Sequence, residues 1–290
     1  MDTGISDVRK GRNKVNRKLI IDGHAHACGE YLTTEKIKKK LTDAKVDMCL
    51  LTPGQYGSRI TYPLRNLAKK DPLGDVVSKN NRTTSRMISL IGAVKEIPKG
   101  NEYVYQLKCT LPDQVKQCYW VTGANWKSVQ QDYERMQFDT IKFHQCWEKF
   151  DLTDDFFQKT VEWAADREIP VFVHIRDLEQ ISKMVQFIKG HPKAIMIIGH
   201  LYGAELFMKE EKEYFRNTYF DLSNFYFVSR ERTKAVYEYF GAEHLLMGSD
   251  TPYGKQSLEN TIRQIHELNI PETDREKILG GNMAKLLKLI

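Results

Sequence analysis

Residues 170–200 hold one complete strand–helix–strand unit. Pro170-Val171-Phe172-Val173-His174 is an apolar run of strand length, Leu178–Lys189 has helical periodicity, and Ala194-Ile195-Met196-Ile197-Ile198-Gly199-His200 is apolar again. The same alternation extends in both directions. Strands are expected at Lys18–His24, Val46–Thr52, Gln117–Gly123, Phe138–His144, Pro170–His174, Ala194–His200, Thr218–Leu222 and Leu245–Ser249. Helices are expected at Thr33–Lys45, Pro72–Met87, Lys127–Gln137, Thr153–Arg167, Leu178–Lys189, Ala204–Phe215, Ser229–Phe240 and Gln256–Leu268. Thr33 is placed to cap the first of these, and Asp154–Asp155 suit the positive end of another. A last helix, Asp274–Leu287, contains Gly280–Gly281, which should mark a break.

Strand-then-helix units in series are the pattern of an α/β fold, a (β/α)8 TIM barrel. An open doubly wound sheet would usually carry a glycine-rich phosphate turn, and neither GxGxxG nor GxxxxGK[ST] is present. Residues 88–116 do not fit a minimal unit, because Pro98, Gly100 and Pro112 punctuate them. They read as an excursion from the single barrel domain, with short strands of its own. The expected division is a basic flexible tail over residues 1–18 and a barrel over 19–290.

The 290 residues are 41% hydrophobic and 28% charged, a globular composition with material for a core. No apolar run approaches the roughly 18–20 residues that span a bilayer, and the polar, basic start has no signal-peptide core. Five widely spaced cysteines without a CxxC read as reduced thiols of a cytoplasmic protein. The net charge is +6, and the first 18 residues hold six basic against two acidic side chains. That concentrates the charge in a solvated terminus, so nucleic acid and membrane are not the expected partners. A small-molecule substrate is, and a homo-oligomer stays open.

The chemistry sits where the apolar runs end. In Ile21-Asp22-Gly23-His24-Ala25-His26, period-two alternation sends His24 and His26 to the same side. The fifth strand closes on His174, the sixth on His200 and the eighth on Asp250. In a barrel of parallel strands these ends share one rim, where active sites form. Imidazoles with a carboxylate suit Zn²⁺ or a similar first-row ion with a position left for water, whose pKa the ion lowers. In the fourth strand Thr140, Lys142 and His144 share a face, and a lysine inside a barrel needs a partner.

Several phrases resemble the amidohydrolase superfamily, and most closely its amidohydrolase-2 branch of metal-dependent TIM-barrel hydrolases and decarboxylases. They are IDGHAH at 21–26, IPVFVH at 169–174, IIGHLYG at 197–203, YFDLSN at 219–224, LLMGSDTPYG at 245–254 and ILGGNMAKLL at 278–287. The resemblance implies one divalent ion held by His24, His26, His174 and Asp250. It also implies catalytic roles for His200 and for Asp250, which would accept the proton of water. Lys142 would contact substrate or Asp250. In the superfamily's other arrangement it would be carboxylated and bridge two ions. Ile175-Arg176 follows His174 where the branch often has Thr-Gly. Arg176 would clamp a substrate carboxylate or pair with Asp177. His144, Tyr202 and Tyr253 complete the expected substrate-binding residues, and Cys28 is expected to pack rather than ligate. The resemblance implies a hydrolase of a C–N or C–O bond acting through metal-activated water. The alternatives are non-oxidative decarboxylation of an aromatic or unsaturated acid and, more remotely, a non-catalytic barrel recruited through its basic tail.

Overall fold

The computed structural model describes residues 18–74, 76–91 and 93–290. Apart from Lys18, the basic tail lies outside the described residues. Eight parallel strands run in sequence order around a barrel: β1 (Ile21–His26), β2 (Met48–Thr52), β3 (Val115–Trp120), β4 (Thr140–His144), β5 (Val171–His174), β6 (Met196–Ile198), β7 (Thr218–Asp221) and β8 (Leu245–Leu246). Backbone hydrogen bonds close the seam between β1 and the chain after β8. Gly23 N donates to Met247 O at 3.0 Å, Asp250 N to His24 O at 2.7 Å and His26 N to Thr251 O at 2.8 Å.

Alternation along each strand sorts the side chains into two cores. Cys49, Leu51, Ile141, Phe143, Val171 and Val173 face outward into the layer beneath the helices. Met48, Leu50, Cys118, Phe172, Ile197 and Leu246 face inward and fill the lower barrel. Helix α11 (Asn282–Leu286) plugs that end with Met283, Ala284 and Leu286. The barrel is therefore solid below, and only its upper rim is left for chemistry.

Local signals account for the surrounding helices. Thr33 caps α1 (Thr34–Ala44), its side chain accepting from Lys36 N. Asp177 does the same for α6 (Leu178–Gly190), and Ser229 for α8 (Arg230–Phe240). The other outer helices are α2 (Val76–Ile91), α3 (Ile97–Thr110), α4 (Val129–Met136), α5 (Asp155–Ala165), α7 (Ala204–Phe207), α9 (Ser257–His266) and α10 (Glu272–Glu276). No helix among the described residues is long and apolar enough to cross a membrane.

Three expectations are corrected. The excursion at 88–116 contains no strands of its own among the described residues; it is completed by α3, and β3 begins at Val115. Pro98 stands in the first turn of α3, where it costs no hydrogen bond, and Gly100 is packed on Pro53. The expected helix Ala204–Phe215 ends at Phe207, and a 3₁₀ turn follows at Lys212–Phe215. The rings of Phe207 and Phe215 pack 5.2 Å apart, whereas eight residues of straight helix would separate their backbones by about 12 Å, so the chain must turn back. Finally, Gly280–Gly281 do not break the last helix. A π turn at Lys277–Gly281 joins α10 to α11.

Gly280 is required for a different reason. A Cβ there would lie 2.1 Å from the carbonyl oxygen of Leu19 and 3.0 Å from Ile21 N, against the backbone entering β1. Gly280→Ala should therefore destabilise the barrel by about 2 kcal/mol or more. Gly190→Ala, at a helix end with nothing within 4 Å, should be neutral or slightly stabilising. Urea unfolding of the two variants checks the contrast, and equal midpoints would refute the close-approach argument.

Candidate active site

The upper rim gathers His24, His26, Lys142, His144, His174, His200 and Asp250, each at most 7% exposed. The scaffold occupies one nitrogen of each β1 imidazole. His24 Nδ1 lies 2.8 Å from Ser223 Oγ and 3.1 Å from Asp221 Oδ2, and His26 Nδ1 donates to the carbonyl oxygen of Pro53 at 2.7 Å. With Nδ1 protonated, each ring presents a bare Nε2 to the pocket. Asp250 Oδ1 is 3.2 Å from His26 Nε2 and 3.7 Å from His24 Nε2. Two imidazole nitrogens and a carboxylate oxygen converge on one point, a donor set that fits a divalent first-row cation.

Lys142 stands at that convergence. Its Nζ is 2.7 Å from His24 Nε2 and 3.4 Å from His26 Nε2, with the faces of Trp120 and Phe172 about it. Burial lowers its pKa to about 8, against the opposing pull of Asp250. Burial, then Lys142, holds His24 well below the usual imidazole range and lowers His26 too. For Asp250 burial acts upward, but His26, His200 and Lys142 outweigh it and keep the carboxylate ionised below its ordinary range.

His174 and His200 form a second arrangement beside the first. The amide nitrogen of Asn81, on α2, donates to the carbonyls of Ile175 and Arg176, both at 2.9 Å, which turns its Oδ1 toward His174 Nε2 at 2.7 Å. That nitrogen must carry a hydrogen. His200 Nδ1 must too, since it lies 2.7 Å from the carbonyl oxygen of Ser223. The facing nitrogens, His174 Nδ1 and His200 Nε2, are 3.0 Å apart. Asp221 Oδ2 lies 3.9 Å from His200 Nδ1. His174 is not among the residues that converge with His24, His26 and Asp250.

Aromatic rings wall the pocket. Trp120, His144 and His174 stack in series with centroids 5.3 and 3.8 Å apart, and Tyr253 meets His26 edge-on at 5.2 Å. Tyr62, from the segment after β2, stacks on Tyr253. That segment is strapped to the rim by Tyr62 N to Pro252 O and Gly254 N to Tyr62 O. Tyr202 is buried in the outer core instead of facing the pocket. The Arg176 guanidinium bonds Asp177 at 2.8 Å. Cys28 packs against Gly54, and all five cysteines are free.

Sequence reasoning missed four polar residues here. Asp221 and Ser223 lie in YFDLSN, a phrase noted for its resemblance but given no role. Burial pushes Asp221 up to about 6, partly offset by His200 and Ser223. Asp22 precedes the HxH pair. It accepts from Ser249 N, Ser249 Oγ and Tyr31 Oη, and burial raises it to about 6. Asn81 carries no strand-end signal, since it reaches the site from a helix. His200 and Asp250 adopt positive φ, 61° and 55°, where the chain leaves β6 and β8.

A family model described as Amidohydrolase matches residues 112–289. No curated protein matches the chain. Among solved structures, 5-carboxyvanillate decarboxylase from Sphingomonas paucimobilis aligns at 13% identity over 94% of this chain and 99% of its own, with a TM-score of 0.64. 4-Oxalomesaconate hydratase from Rhodopseudomonas palustris aligns at 15% identity over 93% and 96%, with a TM-score of 0.61. A dihydroxybenzoic acid decarboxylase from a Polaromonas species, with bound manganese and 2-nitroresorcinol, aligns at 11% over 94% and 98%, with a TM-score of 0.67. These likenesses share the barrel, and the family match covers more than half of the chain including six of its eight strands. The chain belongs to the amidohydrolase family, in the amidohydrolase-2 branch of its superfamily.

Proposed function

We propose that the protein is a metal-dependent hydrolase of a C–N or C–O bond in a small molecule. The observation that carries this reading is the convergence of His24 Nε2, His26 Nε2 and Asp250 Oδ1, with both Nδ1 atoms spent on the scaffold. These three residues would hold one divalent cation, for which Zn²⁺ is the best match to the donors. His174 joins them only by exchanging its bond to His200. Bound there, the cation supplies Lewis acidity and makes water a nucleophile near neutral pH.

The chain's own residues supply the proton handling. Asp250, kept ionised, is a base ready to take a proton from water. His200, 3.0 Å from His174, is the group placed to pass a proton to the leaving nitrogen or oxygen. Low exposure throughout keeps bulk water from competing with a bound substrate.

Non-oxidative decarboxylation is the second reading. The flat wall of Trp120, His144 and Tyr253 favours it, together with the single cation Lys142 inside the wall, a setting that accepts an aromatic carboxylate. Screening the metal-loaded enzyme on aromatic acids, lactones and amides separates the two. Released CO2 without a hydrolysis product identifies the decarboxylase, and the reverse identifies the hydrolase.

His24→Ala and Asp250→Ala should each lose bound metal and activity while retaining the far-UV circular dichroism of the barrel, because the core is apolar and not built on the ion. Stoichiometric metal at full affinity in either variant would remove that residue from the ligand set.

His200→Ala should keep near-stoichiometric metal and lose on the order of 10²–10⁴ in kcat, with a smaller effect on KM. Metal analysis and kinetics on one sample check this. Loss of the metal along with activity would make His200 a ligand, and unchanged kcat would make it a structural neighbour.

A further inference from the structure

Lys142 has a consequence for the cation that its neighbours do not. It is the inward residue at the centre of β4 and is 1% exposed. Its ammonium lies 5.1 Å from the Trp120 ring centroid and 5.0 Å from that of Phe172. Its hydrogen-bond partners are the two atoms that the proposed cation also needs, His24 Nε2 at 2.7 Å and His26 Nε2 at 3.4 Å.

Each of those nitrogens has one lone pair. The Nδ1 contacts to Asp221, Ser223 and the Pro53 carbonyl fix the tautomer, so the rings cannot offer a second acceptor to the pocket. A zinc–imidazole bond is about 2.0–2.1 Å long. An ion on His24 Nε2 would use the lone pair that the Lys142 head now holds at 2.7 Å, and the two centres would overlap. The exclusion is steric before it is electrostatic, and repulsion between like charges adds to it.

We propose that Lys142 is a built-in competitor for the metal. Its head is seated on the His24 and His26 lone pairs, and a cation enters only by expelling it. The displaced head stays beside the Trp120 and Phe172 faces and Asp250, which attract a cation without supplying an imidazole nitrogen. The inference rests on the proposed ligand set of His24, His26 and Asp250. It makes the opposite demand from a carboxylated Lys142 bridging two ions. A bridging lysine is needed for binding, whereas a competing one weakens it.

The test is isothermal titration of the full, metal-stripped chain with Zn²⁺ and with Mn²⁺ at pH 7, with ions counted by mass spectrometry. Lys142→Met keeps the stem and removes the head, and Lys142→Gln is the second variant if the first fails to fold. Each should bind one ion per chain with a Kd lower by tenfold or more, the scale on which groups around a metal site change affinity. An unchanged or higher Kd overturns the proposal, and an ion count falling from two to one overturns it by making Lys142 a ligand. Wild-type protein gives a readout independent of either variant. Added bicarbonate should leave its ion count and Kd unchanged, and a rise in ion count would establish a carboxylated lysine and overturn the proposal. His24→Ala is the separate control on the ligand set. If it binds the ion as tightly as wild type, the ligand assignment fails whatever Lys142 does.

Discussion

The arrangement depends on where two protons sit. His24 and His26 give their Nδ1 hydrogens to Asp221, Ser223 and the Pro53 carbonyl, so both Nε2 lone pairs are directed into the barrel. Each anchor comes from a different place, the end of β7 for one ring and the chain just after β2 for the other. The other tautomer at either position would put an N–H where a lone pair is needed. The surrounding polar groups therefore do more than fill space. They select one tautomer of two for each ring, and with it the capacity to bind a cation.

Burial gives these choices their weight. His24, His144 and His174 are all held well below the usual imidazole range, burial being the first cause in each. The rim also keeps one ammonium, Lys142, and one ionised carboxylate, Asp250, where a dielectric far below that of water strengthens every interaction between them. The left-handed backbone at His200 and Asp250 is part of the same economy of space. It turns the chain sharply just beyond β6 and β8, at a local backbone cost that the packed rim must sustain.

The barrel was legible because its signal is repeated. Apolar runs of strand length separated by helical stretches survive errors of two or three residues at any one boundary. The gathering of His24, His26 and Asp250 follows from strand direction alone. What the sequence did not disclose depends on contacts distant along the chain. Asn81 reaches His174 from α2, 93 positions away, and no spacing rule links them. The turn after Phe207 is imposed by rings on Phe215, Phe220 and Phe240 that local periodicity cannot register. Pro98 and Gly100 read as loop signals, yet one sits at a tolerant first turn and the other at a close contact with Pro53. Tyr202 reads as an aromatic of a rim loop, but it follows two positive-φ residues, His200 and Leu201, and is buried in the outer core.

The seam between β1 and the chain after β8 carries a consequence for how the molecule comes into being. His24 and His26 lie on one side of it and Asp250 on the other, more than 220 residues away along the chain. Contacts of such separation incur their loop-closure entropy before they return any stabilisation, and they tend to form late. Half a barrel, however well its strands pair, would present two imidazoles without the carboxylate. The cation-binding triad is thus a record of completed closure, and an ion that binds it would favour the closed molecule over every partly assembled one by mass action.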